Sequence, residues 1–367
     1  PATAAPPPAP IVNTRIMDLM REAIRLHASD LHVKVGSPAR MRVAGELLDV
    51  GKAPVLPEEA HAMALELMTP ALAQRFHQEN DVDFAYNIDG LGRFRVSTFR
   101  QRGYTGLAIR TIPEHIPTFD ELGVHPVARA LAEKPRGLVL VTGPTGSGKS
   151  HTLAAMIHHI NETRACHILT MEDPIEFVHA DVRAHITQRE IGRDCPGFAE
   201  ALKRGLRMDP DVILVGEMRD LETISLALTA AETGHLVLAT LHTTSAVTTP
   251  DRIIDVFPPN QQMQVRQQLS ETLRGILSQL LVPRIDGGVT LAQEVLVVND
   301  AIRALIREGK TTQILNIMQT AAKDGMKTLE SSLNEMVQQG LVSYEVAVAK
   351  ANMPKLIQQH DRRARPR

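Results

Sequence analysis

The 367 residues carry 40 Lys and Arg against 42 Asp and Glu, a net charge of −2, which gives no support to a protein that coats nucleic acid through bulk charge. Hydrophobic residues make up 43% and aromatics only 3%, with no Trp, so a sizeable core is available and it is aliphatic. The two cysteines, Cys166 and Cys195, lie outside any C-x-x-C pair and exclude a four-cysteine zinc element or a disulfide framework; with no apolar run near the ~18 residues of a membrane span and no secretory signal, the expectation is a cytoplasmic protein of two or three domains.

Residues 1–10, PATAAPPPAP, are half proline and read as a disordered lead. Ile16, Leu19, Met20, Ala23, Ile24 and Leu26 then recur at helical spacing. Ser29 to Val35 alternates like a strand, Gly36-Ser37-Pro38 turns the chain, and Met41 to Leu47 suggests a second strand. Residues 57–79 read as one or two helices, and 83–86, 92–98 and 107–112 as strands, so 11–115 is expected to be a small α+β domain. Ile112-Pro113 and Ile116-Pro117 bracket a linker, because proline restricts its predecessor and breaks regular structure; 116–135 is read as linker and leading helix.

Beyond it, strands expected at 137–142, 166–171, 211–216, 235–241 and 289–298 alternate with helices at 150–161, 198–208, 220–232, 260–280 and 301–308. That alternation predicts an α/β domain with a buried, largely parallel sheet over 136–310. Residues 311–367 read as helices at 312–320, 328–339 and 343–351 and a basic tail, where four arginines in 362–367 read as solvated.

Gly143 to Ser150, GPTGSGKS, is a phosphate-binding G-x-x-x-x-G-K-S loop. An apolar run leads into it and a helix-forming run leads out, which is the setting the motif needs. Glycines let backbone N–H groups turn onto phosphate oxygens, and the helix N-terminus adds partial positive charge. Lys149 suits the β- and γ-phosphates and the Ser150 hydroxyl suits Mg²⁺, so ATP and Mg²⁺ are the expected cofactors. The candidate nucleotide-binding residues are Gly143, Thr145, Gly146, Ser147, Gly148, Lys149, Ser150 and Thr152.

Asp211 to Glu217 is an apolar strand ending in a carboxylate. The usual pair at such an end is Asp then Glu, and here Gly216 takes the Asp position; Glu217 is therefore expected to hold Mg²⁺ through water or to position the attacking water. Ile168 to Glu176 ends in three acids, Glu172, Asp173 and Glu176, whose crowding has a repulsive cost unless cations sit nearby. One of them could orient or deprotonate water; taken alone, the stretch equally fits a solvated loop. His235 and His242 flank an apolar strand and stand roughly 23 Å apart along it, too far to share a metal. His242 suits γ-phosphate sensing, with a structural role as its alternative. Arg95 and Arg110 lie on separate strands; an arginine at a triphosphate stabilises charge in phosphoryl transfer, while spacing alone favours surface positions.

Four boxes stand in order: GPTGSGKS, MEDPIEF, DPDVILVGEMRD and GHLVLATLHTTSA. Together they resemble the secretion ATPases of type II secretion and type IV pili, over residues 29–308. AIRALIRE at 301–308, TGHLVLATLHTTSA and QREIG at 188–192 are similar in particular to type IV pilus retraction ATPases, the motors of twitching motility. The resemblance implies a homohexameric ring of chains with a PAS-like N-terminal domain, a RecA-like P-loop ATPase domain and a helical C-terminal extension. ATP would sit between the two domains near a subunit boundary. Glu176 would be the catalytic glutamate, Glu217 the acid of the Mg²⁺ site, and His235 with His242 the family's histidine box. Arg95 and Arg110 would reach the phosphates, with Arg207 a further candidate. In AIRALIRE, Ile302, Leu305 and Ile306 share one helix face and Arg303 and Arg307 another, and this helix would couple hydrolysis to the pilus. The implied partner is an inner-membrane pilus platform protein, met at the cytoplasmic face, with membrane contact only through partners and no nucleic acid. His151 departs from the family, which has Thr there. The alternatives are a pilus-extension or type II secretion ATPase, which commonly carries a four-cysteine zinc element this chain cannot make, an accessory retraction paralogue, and a RecA-like nucleic-acid motor, which lacks support from charge or aromatic content.

Overall fold

The helical period at Ile16, Leu19, Met20 and Ala23 sets four apolar side chains on one stripe. All four are buried along α1 (Thr14–Arg25) in a computed structural model that describes residues 14–43, 46–88, 90–112 and 115–359. The proline-rich lead, Pro113 of the linker and the arginine tail lie outside the described residues. Contacts divide the chain into two units, residues 1–115 and 116–367.

In the first unit α1 is followed by β1 (Asp30–Val33), β2 (Ala39–Val43), β3 (Glu46–Val50), α2 (Pro57–Glu66), α3 (Pro70–Glu79), β4 (Asp81–Ile88), β5 (Gly92–Gln101) and β6 (Tyr104–Ile112). The stretch read as one strand around Met41 to Leu47 is a pair, β2 against β3. The six strands form an antiparallel sheet in the order β3-β2-β1-β6-β5-β4. Alternation decides the faces: Phe94, Val96 and Thr98 of β5 are buried, and the first two pack with α1 and α2 in one core. Arg95 and Ser97, between them, turn to the other face.

The second unit runs α4 (Phe119–Leu122), α5 (Val127–Ala132), β7 (Gly137–Thr142), α6 (Lys149–Thr163), β8 (His167–Glu172), β9 (His185–Glu190), α7 (Phe198–Gly205), β10 (Val212–Val215), α8 (Leu221–Glu232), β11 (Leu236–Leu241), α9 (Thr249–Ile254), α10 (Pro259–Thr272), β12 (Leu273–Pro283), β13 (Val289–Val297), α11 (Asp300–Arg307), α12 (Ile314–Thr320), α13 (Leu329–Gln338) and α14 (Tyr344–Lys350). Its sheet has the order β13-β12-β7-β11-β10-β8-β9, and only β12 with β13 is antiparallel. Both faces are covered. Leu138 and Leu140 of β7 join the core under α7, α8 and α10, while Val139 and Val141 join the core under α4, α5 and α6. The helices α13 and α14 make a smaller core over the ends of β12 and β13.

One expectation fails here, and one strand goes unread. The helix read over 260–280 stops at Thr272, and Leu273 to Pro283 is the strand β12. No turn residue separates them, and a strand buried on both faces has no alternation to betray it. HITQRE, assigned no element, is the edge strand β9, which its polar composition conceals.

Candidate active site

In a parallel sheet the carboxyl ends of the strands share one edge, so the loops after β7, β11, β10 and β8 meet there. After β7 the chain turns through 143–148 and α6 begins at Lys149. Gly143 has φ 141°, and a Cβ there would run into the Gln279 carbonyl and the Ser147 hydroxyl, so only glycine fits. Ser147 is buried with no hydrogen-bond partner for its Oγ among the described residues, while Thr145 and Gly146 are exposed. Thr152 is buried with its hydroxyl turned away from solvent, and it accepts 2.7 Å from Gln279 Nε2 of β12. Gln279 thus ties the first turn of α6 to the sheet. It escaped the sequence reading because its segment was read as helix. Lys149 Nζ donates to the carbonyls of Gly143 (2.9 Å) and Pro144 (3.0 Å). Burial pulls the Lys149 ammonium below its usual pKa, against the opposing charges of Glu217 and Glu176.

After β10, the N–H of Gly216 donates 2.8 Å to the carbonyl of Met171 at the end of β8. A Cβ at Gly216 would lie 3.0 Å from that carbonyl and 3.3 Å from Glu172 Cα, which explains glycine where related sites carry Asp. Thr240 of β11 grips both flanks of Glu217: its hydroxyl donates to the Gly216 carbonyl at 2.5 Å, and its carbonyl accepts from Met218 N at 3.1 Å. The Glu217 carboxylate, with 16% of its side chain exposed, has Arg219 Nε at 2.5 Å and His242 Nε2 at 2.8 Å from one oxygen. Burial alone would raise the Glu217 carboxyl; the Arg219 bond and the His242 charge outweigh it and hold it below the usual carboxylate range. Arg219 was not singled out from the sequence, although it stands two residues past the acid in GEMRD.

After β8 the three acids separate. Glu172 turns inward and accepts from Thr170 Oγ1 (2.6 Å) and Gln188 Nε2 (3.1 Å). Burial pushes its carboxyl up, and the Glu176 charge adds to that against the two bonds. Asp173 and Glu176 are exposed. The ring of His151, in the first turn of α6, meets Phe177 edge-on at 5.0 Å.

The other sequence candidates fall elsewhere. His235 precedes β11 at the opposite edge of the sheet, and its Nδ1 lies 2.9 Å from the Ala230 carbonyl. Arg207 is exposed at that same opposite edge, beside Met208, whose carbonyl meets the ring of His167 at the start of β8. The helix α11 also leaves from that edge: Val297 pairs with Gly275 near the start of β12. Within it Ile302 and Ile306 are buried, Leu305 is half-buried on the same core, and Arg307 is exposed. Arg95 and Arg110 belong to the first unit, where they sit directly opposite one another on β5 and β6. Like charges so placed repel, and each has an acid: Arg110 Nε meets Asp30 at 2.9 Å and Arg95 Nη2 meets Asp83 at 3.9 Å.

Comparison with known proteins gives the chain's family and relatives. A model of the type II/IV secretion system protein family matches residues 8–350. The chain is 48% identical to the type IV pilus retractation ATPase PilT of Pseudomonas aeruginosa, over 93% of this chain and 99% of the relative. It is 46% identical to the twitching motility protein of Neisseria gonorrhoeae, over 92% and 90% of the two chains. A solved structure of the pilus retraction motor PilT with bound ADP superposes with a TM-score of 0.88 at 46% identity, covering 93% of this chain and 98% of that one.

Proposed function

The chain belongs to the type II/IV secretion system protein family and is an ATPase, and we propose that it is the homohexameric, Mg²⁺-dependent motor that retracts type IV pili. Its fold is a RecA-like ATPase unit preceded by a small α+β, PAS-like unit. One observation carries the chemical part of the reading: neighbouring strand ends deliver the P-loop, His242, Glu217 and Glu176 to one edge, where Lys149 lies in the field of both glutamates.

The residues fit the cofactors. The loop N–H groups and Lys149 would hold the phosphates, and the unpartnered Ser147 hydroxyl offers a further polar contact. The Ser150 hydroxyl is a hard oxygen donor of the kind Mg²⁺ prefers, and the ionised Glu217 would hold the ion through water; when bound, the ion neutralises charge on the β- and γ-phosphates. Glu176 is exposed and free to take the proton of the attacking water. Glu217 is held ionised, and His242 shares its oxygen, so a change at the γ-phosphate would be felt at the end of β11. Arg95 and Arg110 would neutralise charge on the transferring group. The assignment to retraction is supported by similarity to retraction motors along nearly the whole chain. The same reading puts the protein at the cytoplasmic face of the inner membrane, bound to a platform protein; no helix among the described residues is long and apolar enough to cross a membrane. Deleting the gene in the source organism and counting pili tests it. Excess surface pili with twitching lost are expected, and bald cells would overturn it in favour of an extension motor.

A further inference from the structure

We infer that Gln188 and Glu190, the first and third residues of QREIG on β9, are positioning residues that fix the backbone on either side of Glu176. The inference rests on the reading of Glu176 as the catalytic glutamate.

Glu176 is exposed, but its neighbours Ile175 and Phe177 are buried. The backbone at each neighbour is held from β9. Ile175 N donates to Glu190 Oε2 at 3.2 Å, within the interior. Gln188 Nε2 donates to the Phe177 carbonyl at 2.8 Å and to Glu172 Oε1 at 3.1 Å, while Gln188 Oε1 accepts from His179 N at 2.9 Å. Both donors and one acceptor of a single amide are therefore used. The orientation of that amide is not arbitrary: reversed, its oxygen would face a carbonyl and a carboxylate, and its NH₂ would face an N–H. No carboxylate can replace it, because two of the three contacts need a donor.

The strand register makes the arrangement possible. Thr170 pairs with Gln188 and Glu172 with Glu190, so both β9 side chains lie on the face of Thr170 and Glu172, beneath the loop. β9 is itself fixed beyond Glu190, whose N–H donates 2.9 Å to Asp194 Oδ2 and whose carbonyl accepts from Asp194 N at 2.8 Å. From the other side, Asn161 of α6 accepts from Val182 N at 3.0 Å and donates to the Ala180 carbonyl at 2.8 Å. The loop can thus slide neither along α6 nor away from β9. Glu217 has the same device in another form, since Thr240 holds the carbonyl before it and the N–H after it. In both places the peptide groups around the acid are tied, which fixes where a carboxylate stands; at Glu217 one oxygen is in addition held by Arg219 and His242.

The test uses the full chain with Mg²⁺ and ATP. Gln188→Ala and Gln188→Glu should each lower kcat on the order of 10²-fold, the scale of a 1 Å misplacement, with KM for ATP within about threefold, since the P-loop is untouched. Glu190→Ala should behave likewise, and Glu190→Gln, which keeps an acceptor for Ile175 N, should recover most of the loss. Combined with Glu176→Gln, Gln188→Ala should cost nothing further, because it acts only through that carboxylate. A Glu176→Gln variant that hydrolyses normally would overturn the catalytic reading itself. An inactive Glu176→Gln beside a Gln188→Ala that keeps its kcat would overturn the positioning role alone. A second full loss in the double variant, accompanied by a lower melting temperature, would also overturn it, by showing that Gln188 acts on the fold.

Discussion

The two acids of the second unit and the two arginines of the first are held in opposite ways. Glu217 and Glu176 stand on peptide segments tied on both sides by buried or half-buried partners, Thr240 in one case and Gln188 with Glu190 in the other. Arg95 and Arg110 stand on a sheet face with 42% and 68% of their side chains exposed, and ion pairs to Asp83 and Asp30 hold them. Exposed pairs of that kind are worth only about 0–1 kcal/mol, so either arginine can leave its aspartate for a phosphate at little cost. On the proposed reading the acids are in place beforehand and the arginines are recruited. For a ring motor that separation means hydrolysis can wait on assembly.

The largest effect should come from the P-loop, on the preorganised side of this contrast. Lys149→Ala should abolish hydrolysis, a loss beyond the ~10³-fold that follows removal of one oxyanion donor. Among the described residues its Nζ bonds only loop carbonyls, so the fold should survive. Phosphate release and a thermal melt, run together, check both halves; appreciable turnover in this variant would remove the P-loop from the chemistry.

Next come the recruited arginines. Arg95→Ala and Arg110→Ala should each lower turnover roughly 10³-fold, the lower range for an arginine delivered to a phosphoryl group, while ATP affinity stays near that of the parent. If, as proposed, delivery depends on packing between chains, turnover per subunit should climb steeply with protein concentration. A dilution series followed by light scattering measures this. A dilute monomer with full activity would erase the distinction between the two pairs of residues.

Glu217→Gln and Glu176→Gln should follow, each losing about 10²-fold or more in turnover. Nucleotide should still bind, since an amide is near-isosteric and repels phosphate less. Equilibrium binding of a fluorescent ADP analogue beside steady-state kinetics separates the two effects. If Glu176→Gln keeps its turnover, Asp173 becomes the better candidate, since it is exposed where the Glu172 carboxylate is bound by Thr170 and Gln188.

How far the sequence revealed this follows from which features have a local signal. The P-loop, the acid after β10 and the acids after β8 were legible because each needs a fixed residue type at a strand end. The buried strands β7, β10 and β11 were legible because they are short apolar runs between breakers. What stayed hidden was whatever depends on a partner far along the chain. Gln279 supports Thr152 across 127 residues, from a strand that leaves α10 without a turn. Glu294 of β13 accepts 2.6 Å from Ala246 N and so supports the loop after His242. Neither has neighbours that announce its role. QREIG stood out only by resemblance, and its use emerged once β9 was seen beside β8. The sequence assigns phosphate sensing to His242 and places His235 only in the histidine box, and the direction of β11 puts the two at opposite edges of the sheet.

Away from the site, Arg307→Ala should leave ATPase activity within about twofold and shift stability by no more than ~0.5 kcal/mol, as for an exposed residue, while twitching is lost. Arg307 is a better probe than Leu305, which is half-buried on the core and would confuse coupling with folding. Twitching assays in a complemented deletion strain decide it, and normal motility would detach α11 from coupling.

An effect absent at neutral pH tests whether the loop carrying Glu176 is held as tightly as its bonds indicate. His179 lies in that loop, its N–H bound by Gln188 and its Nδ1 buried without a partner among the described residues. Burial, with His158 nearby, pulls the pKa of its ring down to about 4. In an unfolded chain the same ring titrates near 6.5. Below pH 6.5, therefore, the unfolded state takes up a proton that the folded state refuses until pH 4. Stability falls as pH drops through that window, and above it both forms are neutral and nothing changes. Between pH 7.5 and pH 5 the histidine's share is at most about 2 kcal/mol, 1.5 pH units below its free value at ~1.36 kcal/mol each. Urea unfolding at the two pH values, in the parent and in His179→Asn, isolates that share from every other titrating group. The variant should lose less stability on acidification. An identical loss in both would mean that water already reaches the ring, and that the segment following Glu176 is looser than the preorganised, acid side of the comparison requires.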